Sequence, residues 1–175
     1  MTEFLETLRR RRSIRLFTDD PLSDEQIRQL EESLLRSPTS RSRNPWHFIK
    51  IDEKTLLEQV SRAKQHGSAF LAGAAVAFVI CGDETVTDVW TEDCSIAAIT
   101  LQYMAETMGL GSCWAQIRLR DHDETASAEA YLRDLLDIPD HIRIASVIGI
   151  GYPSEMKEGH PEDELHWHKL HHNRY

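Results

Sequence analysis

Two stretches of this chain are apolar on both faces, and they limit what it can fold into. Ala74-Ala75-Val76-Ala77-Phe78-Val79-Ile80-Cys81 shows no polar alternation, and Ile144 to Ile150 repeats the pattern. A strand written this way is covered above and below, so both belong inside a sheet with helices on each side. Trp46 to Ile51 and Ser112 to Ile117 supply further strands. Helical patterns run from Thr2 to about Arg12, from the capping box Ser23-Asp24-Glu25-Gln26 to about Arg36, from Glu53 to His66 with Gly67 as its stop, and from Thr125 to Leu136. The longest, about Trp90 to Met108, is apolar over most of its circumference, which places it in the core or in a subunit interface. Strands and helices alternate with too few βαβ units for a doubly wound sheet. The expected class is α+β: a three-layer α-β-α fold in one domain, residues 1–175, with a mixed, mostly antiparallel sheet.

Charge is distributed unevenly. The chain has a formal net charge of -9, yet Arg9, Arg10, Arg11, Arg12 and Arg15 fall within seven positions. If the first helix continued, Arg11 and Arg15 would share a face, with the Ser13 hydroxyl nearby, as in a phosphate clamp. The plainer alternatives are a solvated basic helix end or a loose nucleic-acid or membrane contact. An acidic chain of sequence pI about 5.4 is a poor generic nucleic-acid binder, which favours a small, specific anion. No apolar run reaches the roughly 20 residues of a membrane span, and a charged N-terminus speaks against a signal peptide, so the expected location is cytoplasmic. Cys81, Cys94 and Cys113 lack any Cys-x-x-Cys spacing and read as reduced core thiols.

Four landmarks follow one another along the chain. They are Arg11-Arg12-Ser13-Ile14-Arg15, the proline-bounded loop Ser37-Pro38-Thr39-Ser40 leading to Pro45-Trp46, Gly109-Leu110-Gly111-Ser112-Cys113-Trp114, and Ile148-Gly149-Ile150-Gly151-Tyr152-Pro153. In this order they resemble the nitroreductase family of FMN-dependent oxidoreductases. The resemblance implies that fold, an obligate homodimer with FMN at its interface, and a C-terminal extension, here 154–175, exchanged onto the partner subunit. By position it implies FMN contacts from Arg11, Arg12, Ser13 and Arg15, with Arg11 at the phosphate and Arg15 at the pyrimidine edge. Pro38, Thr39, Ser40 and Ser42 match the loop from the other subunit. Gln116 and Ile117 match the segment whose backbone amide faces flavin N5, His66 falls near a further contact, and Arg174 with Lys169 matches the basic phosphate contact of the C-terminus. Ser42 stands where asparagine is common and Asn44 where glutamine or arginine is usual. Only Arg118 to Ser127 separates the flavin-facing strand from the next helix, where longer members insert helices around the substrate.

The implied activity is reduction of FMN by NADH or NADPH, followed by reduction of a small-molecule acceptor such as a nitroaromatic or quinone. No catalytic side chain is required, because the flavin carries the chemistry. The alternatives are a flavin- or nucleotide-binding module without turnover, and a relative with other flavin chemistry such as dehalogenation or flavin fragmentation. The histidines at 160, 166, 168, 171 and 172 lack metal-ligand spacing, so no metal is expected. Asp88, Glu92 and Asp93 read as an acidic patch suited to a positive helix end.

Overall fold

A computed structural model describes residues 2–175. Nine main elements follow in order: α1 (Glu3–Arg10), α2 (Asp24–Leu35), β1 (Trp46–Ile51), α3 (Lys54–Ser61), β2 (Val76–Asp83), α4 (Trp90–Thr107), β3 (Gly111–Gln116), α5 (Ala128–Leu136) and β4 (Ile142–Gly151). The sheet order is β1-β2-β4-β3, which puts the two doubly apolar strands in the centre. Successive side chains of a strand point to opposite faces, so β2 feeds two cores at once. Ala77, Val79 and Cys81 pack with Leu57 and Val60 of α3 and Leu132 of α5. Val76, Phe78 and Ile80 pack with Leu30 and Leu34 of α2 and with Cys94, Ala98 and Leu101 of α4. The result is the expected three layers.

All strand pairings in the sheet are antiparallel. The expected mixed character survives only as a parallel bridge between Ser13 and Ser112. Pairing of β2 with β4 passes from Ile80 opposite Ser146 to Cys81 opposite Ile144, which leaves Ala145 as a bulge. There the Ala145 carbonyl accepts the amides of both Ile117 and Arg118, at 3.2 and 3.1 Å, and the β3 ladder stops.

Three helix boundaries differ from the periodic reading. α1 ends at Arg10, and Arg11 takes an extended ψ of 123°, so Arg11 and Arg15 do not share a helical face. Tertiary contact overrides the helical pattern here: the Ile14 amide bonds the Ser112 carbonyl at 3.0 Å, and the buried Ile14 side chain lies over Gly111. A Cβ at Gly111 would stand 2.7 Å from Ile14 Cγ2, so this approach requires glycine. α3 ends at Ser61, because the buried Ser68 hydroxyl donates to the Ser61 carbonyl at 2.8 Å and the intervening residues turn. α5 starts at Ala128 behind the Ser127 cap, while Thr125 is occupied in a turn on the Asp123 carboxylate.

The segment after β4 begins pinned and then leaves the body. Glu155 Oε1 accepts the amides of Arg15 and Leu16 at 2.5 and 3.2 Å, and Lys157 Nζ donates to the Ser13 carbonyl at 2.8 Å. From residue 160 onward, among the described residues, every hydrogen bond and ion pair is local to the segment. Its apolar side chains, including Trp167, Leu170 and Tyr175, are exposed.

Candidate functional site

The N-terminal motif is laid between the start of β3 and the end of β4. Besides the Ser13–Ser112 bridge, Phe17 pairs with Pro153, and the Thr18 amide reaches the Tyr152 carbonyl at 2.9 Å. This fixes the backbone and leaves the guanidinium groups to chemistry. Arg10 lies 3.5 Å from Glu106, and Arg12 donates to the Glu158 carbonyl. Among the described residues, the side chains of Arg11 and Arg15 make no hydrogen bond or ion pair. Arg11 is half-buried. A partly desolvated guanidinium without an internal acceptor is poised for an external anion.

Behind the motif, burial pushes the Cys113 thiol up, against the opposing pull of Arg15 and Lys157. Burial also pushes the Lys64 ammonium down, and the Arg120 charge adds to that. Cys81 and Cys94 are buried, and burial pushes each thiol up to about 12, as for inert core groups.

The second sequence-predicted cluster, Pro38, Thr39, Ser40 and Ser42, forms a tight loop ahead of β1. Thr39 Oγ1 donates to Asn44 Oδ1 at 2.8 Å and accepts the Asn44 amide at 3.0 Å, clasping the loop across its base. Arg41, Ser42 and Asn44 all have positive φ, at 53°, 54° and 50°. Such conformations cost about 1 kcal/mol or more each in non-glycine residues and cluster where a site demands a set shape. The loop is exposed, yet its Ser40 amide donates at 2.8 Å to Asp93, a buried residue in the first turn of α4. The sequence pattern puts Asp93 in an acidic patch at the start of the long helix; a carboxylate there looks the same in sequence whether it faces water or a loop.

The remaining positions disperse. Gln116 is spent internally, accepting from Trp114 Nε1 and donating to the Arg118 carbonyl, both at 2.9 Å. Ile117 is fully buried and its amide is engaged with Ala145, so that amide is not offered to a ligand. His66 is exposed in the turn after α3. Lys169 and Arg174 lie on the exposed arm, and among the described residues neither forms a bond to the N-terminal arginines. Glu155 and Lys157, which tie the arm's root to the motif, were not singled out from the sequence because nothing local marks them.

The two main clusters are far apart in one chain. The arginine motif lines the β3 edge of the sheet and the loop heads β1, the opposite edge, three strand spacings or about 14 Å away. Along α4, Glu106 marks the motif end and Asp93 the loop end, 13 residues or about 20 Å apart at 1.5 Å per residue. Between them α4 presents Ile96 and Ile99, and Tyr103 meets Phe4 edge-on at 5.5 Å. Phe4, Leu5 and Leu8 of α1 extend this apolar strip, all exposed.

The family model described as Nitroreductase family matches residues 8–67 and 50–152. A solved FMN-dependent nitroreductase from Clostridium difficile R20291 superposes with a TM-score of 0.96 at 36% identity, covering 98% of this chain and 99% of that one. A protein of Archaeoglobus fulgidus named as an NADH dehydrogenase/NAD(P)H nitroreductase is 33% identical over 168 residues, 94% of this chain and 93% of that protein. The chain belongs to the nitroreductase family. An FMN reductase [NAD(P)H] of Bacillus subtilis is 25% identical over 92% of this chain and 70% of its own length.

Proposed function

We propose that the protein is an FMN-dependent oxidoreductase that takes electrons from NADH or NADPH and delivers them to a small-molecule acceptor such as a nitroaromatic or quinone. It works as a homodimer with FMN at the interface. One observation carries the reading: unpartnered guanidinium groups and a strained polar loop sit at opposite ends of α4, joined by an exposed apolar strip. Pairing two copies through that strip, with their long helices antiparallel, sets the arginine motif of one beside the loop of the other. Burying Phe4, Leu5, Leu8 and Ile96 supplies the driving force, at roughly 25 cal/mol per Å² of apolar surface. Among the described residues the arm from 154 onward has no hydrogen bond or ion pair to its own body beyond residue 159, and it is free to lie on the partner, carrying Lys169 and Arg174.

The residues present suit a flavin mononucleotide. Arg11, half-buried and without an internal acceptor, meets the phosphate as a forked donor. Arg15 faces the pyrimidine edge, where a fixed cation stabilises negative charge that grows on reduction. Ser13 is held by β3 and Lys157 and keeps both arginines in register. FMN, when bound, supplies the hydride and electron chemistry. No side chain of this chain needs to act as acid, base or nucleophile. The short 118–127 connection leaves the site open, which suits planar acceptors of varied size.

The test is the absorption spectrum of the purified protein. A yellow flavin band that bleaches anaerobically with NADH or NADPH, and returns with a nitroaromatic or quinone, supports the reading. A yellow protein that never bleaches favours a flavin-binding module without turnover. A colourless protein that takes up no FMN on titration ends the proposal.

A further inference from the structure

Asp93 is 2% exposed, and its two carboxylate oxygens are treated unequally. Oδ1 accepts the Ser40 amide at 2.8 Å; Oδ2 is buried and has no partner among the described residues. A carboxylate that gives up water for a single backbone amide is costly unless that bond does something the fold alone does not. The amide it holds belongs to the loop with three left-handed residues, and no other side chain outside residues 39–44 bonds that loop among the described residues. Besides its own turn bonds, from the Ser42 amide to the Thr39 carbonyl at 3.2 Å and the Arg43 amide to the Ser40 carbonyl at 3.1 Å, the loop is gripped by two side chains, the Thr39–Asn44 clasp within it and Asp93 beneath it. Without the lower grip, the strain in Arg41, Ser42 and Asn44 would relax.

We propose that Asp93 is a positioning residue for the cofactor site: its carboxylate holds the 39–44 loop in the strained shape in which it meets the flavin of the other subunit. This rests on the FMN reading above and adds a residue to it. Asp93 touches no reacting atom. Its influence passes through the Ser40 amide, and a carboxylate accepts such a bond more strongly than a neutral oxygen would. Its unpartnered oxygen leaves room for a second donor once the dimer and cofactor close around the loop.

Hydrogen exchange on the flavin-free protein tests the grip, and FMN titration tests its purpose. In Asp93→Ala the 38–44 peptide should exchange about tenfold faster or more, the loss of a hydrogen bond to a charged group, while the 76–83 peptide of β2 is unchanged. Asp93→Asn keeps an acceptor without the charge and should fall between. FMN affinity should weaken in the same order, by about tenfold for the alanine variant. Unchanged loop exchange in Asp93→Ala overturns the proposal, as does faster loop exchange with wild-type FMN affinity. If Asp93→Ala loosens β2 as well, Asp93→Asn decides: it must speed loop exchange alone and weaken FMN, and failure of either effect overturns the proposal. A wild-type protein that takes up no FMN refutes the flavin-site reading, and with it the purpose assigned to Asp93, while the exchange comparison separately reports whether the grip exists.

Discussion

Arg11 and Arg12 are neighbours in one basic run, yet their surroundings assign them different work. Arg12 is tied to the Glu158 carbonyl at the root of the arm, whereas among the described residues the Arg11 guanidinium makes no hydrogen bond or ion pair. Arg11→Ala should therefore leave the melting temperature within about 1 °C, as surface changes of under 0.5 kcal/mol do, and weaken FMN binding by tenfold or more in a fluorescence titration. Leu119 is a second residue whose chemistry and conformation disagree. It is 75% exposed at a φ of 59°, third in the turn that the Arg120 amide closes on the Ile117 carbonyl at 3.1 Å. That position favours glycine. Leu119→Gly removes a left-handed penalty of about 1 kcal/mol or more against a smaller entropic loss, so unfolding midpoints should rise slightly. A fall would show that the leucine is held by packing. The types of Arg11, Ser13 and Arg15 were legible in sequence because chemistry resides in the residue. The role of Asp93 was not, because burial is a property of its surroundings.

At the scale of elements, periodicity and capping located the five α-helices and four strands of the described residues, though not the short 3-10 turns, and tertiary contacts moved the ends. The α2 capping box forms as written, with Gln26 amide to Ser23 Oγ at 3.2 Å and Ser23 amide to Gln26 Oε1 at 2.9 Å. No local rule announced the joint between α5 and β4. There Glu129 takes a bidentate pair from Arg143 at 2.7 and 2.8 Å, plus the Ile144 amide at 2.9 Å. Burial raises the Glu129 pKa, but the bonds from Arg143 and Ile144 outweigh it and hold the carboxyl below its ordinary value of 4.5. Because the folded value is the lower one, this stabilisation is complete above about pH 4.5 and is lost as pH falls through the folded value. Glu129→Gln should cost about 2 kcal/mol at neutral pH, leaving charged donors imperfectly met. In thermal melts the gap between wild type and variant should narrow as the solution is acidified below that point. A gap that widens in acid contradicts the assignment.

For the whole molecule, α4 is the organising piece, because it separates the two clusters that the proposed flavin site would join. A variant Ile96→Glu places a charge on the exposed strip without entering the core. Sedimentation should then report monomers near 20.1 kDa, and FMN should be lost with the dimer. A dimer that persists with bound flavin would locate the interface elsewhere on the surface. The sequence by itself determined the layered class, since doubly apolar strands and a nearly all-round apolar helix admit few arrangements, and it singled out residue types suited to an anion. Only the tertiary structure decided that the N-terminal run is extended, that Ile117 spends its amide on the Ala145 bulge, and that Asp93 lies beneath the loop. These depend on contacts between segments distant in the chain, and local patterns of hydrophobicity and charge do not encode which distant group arrives.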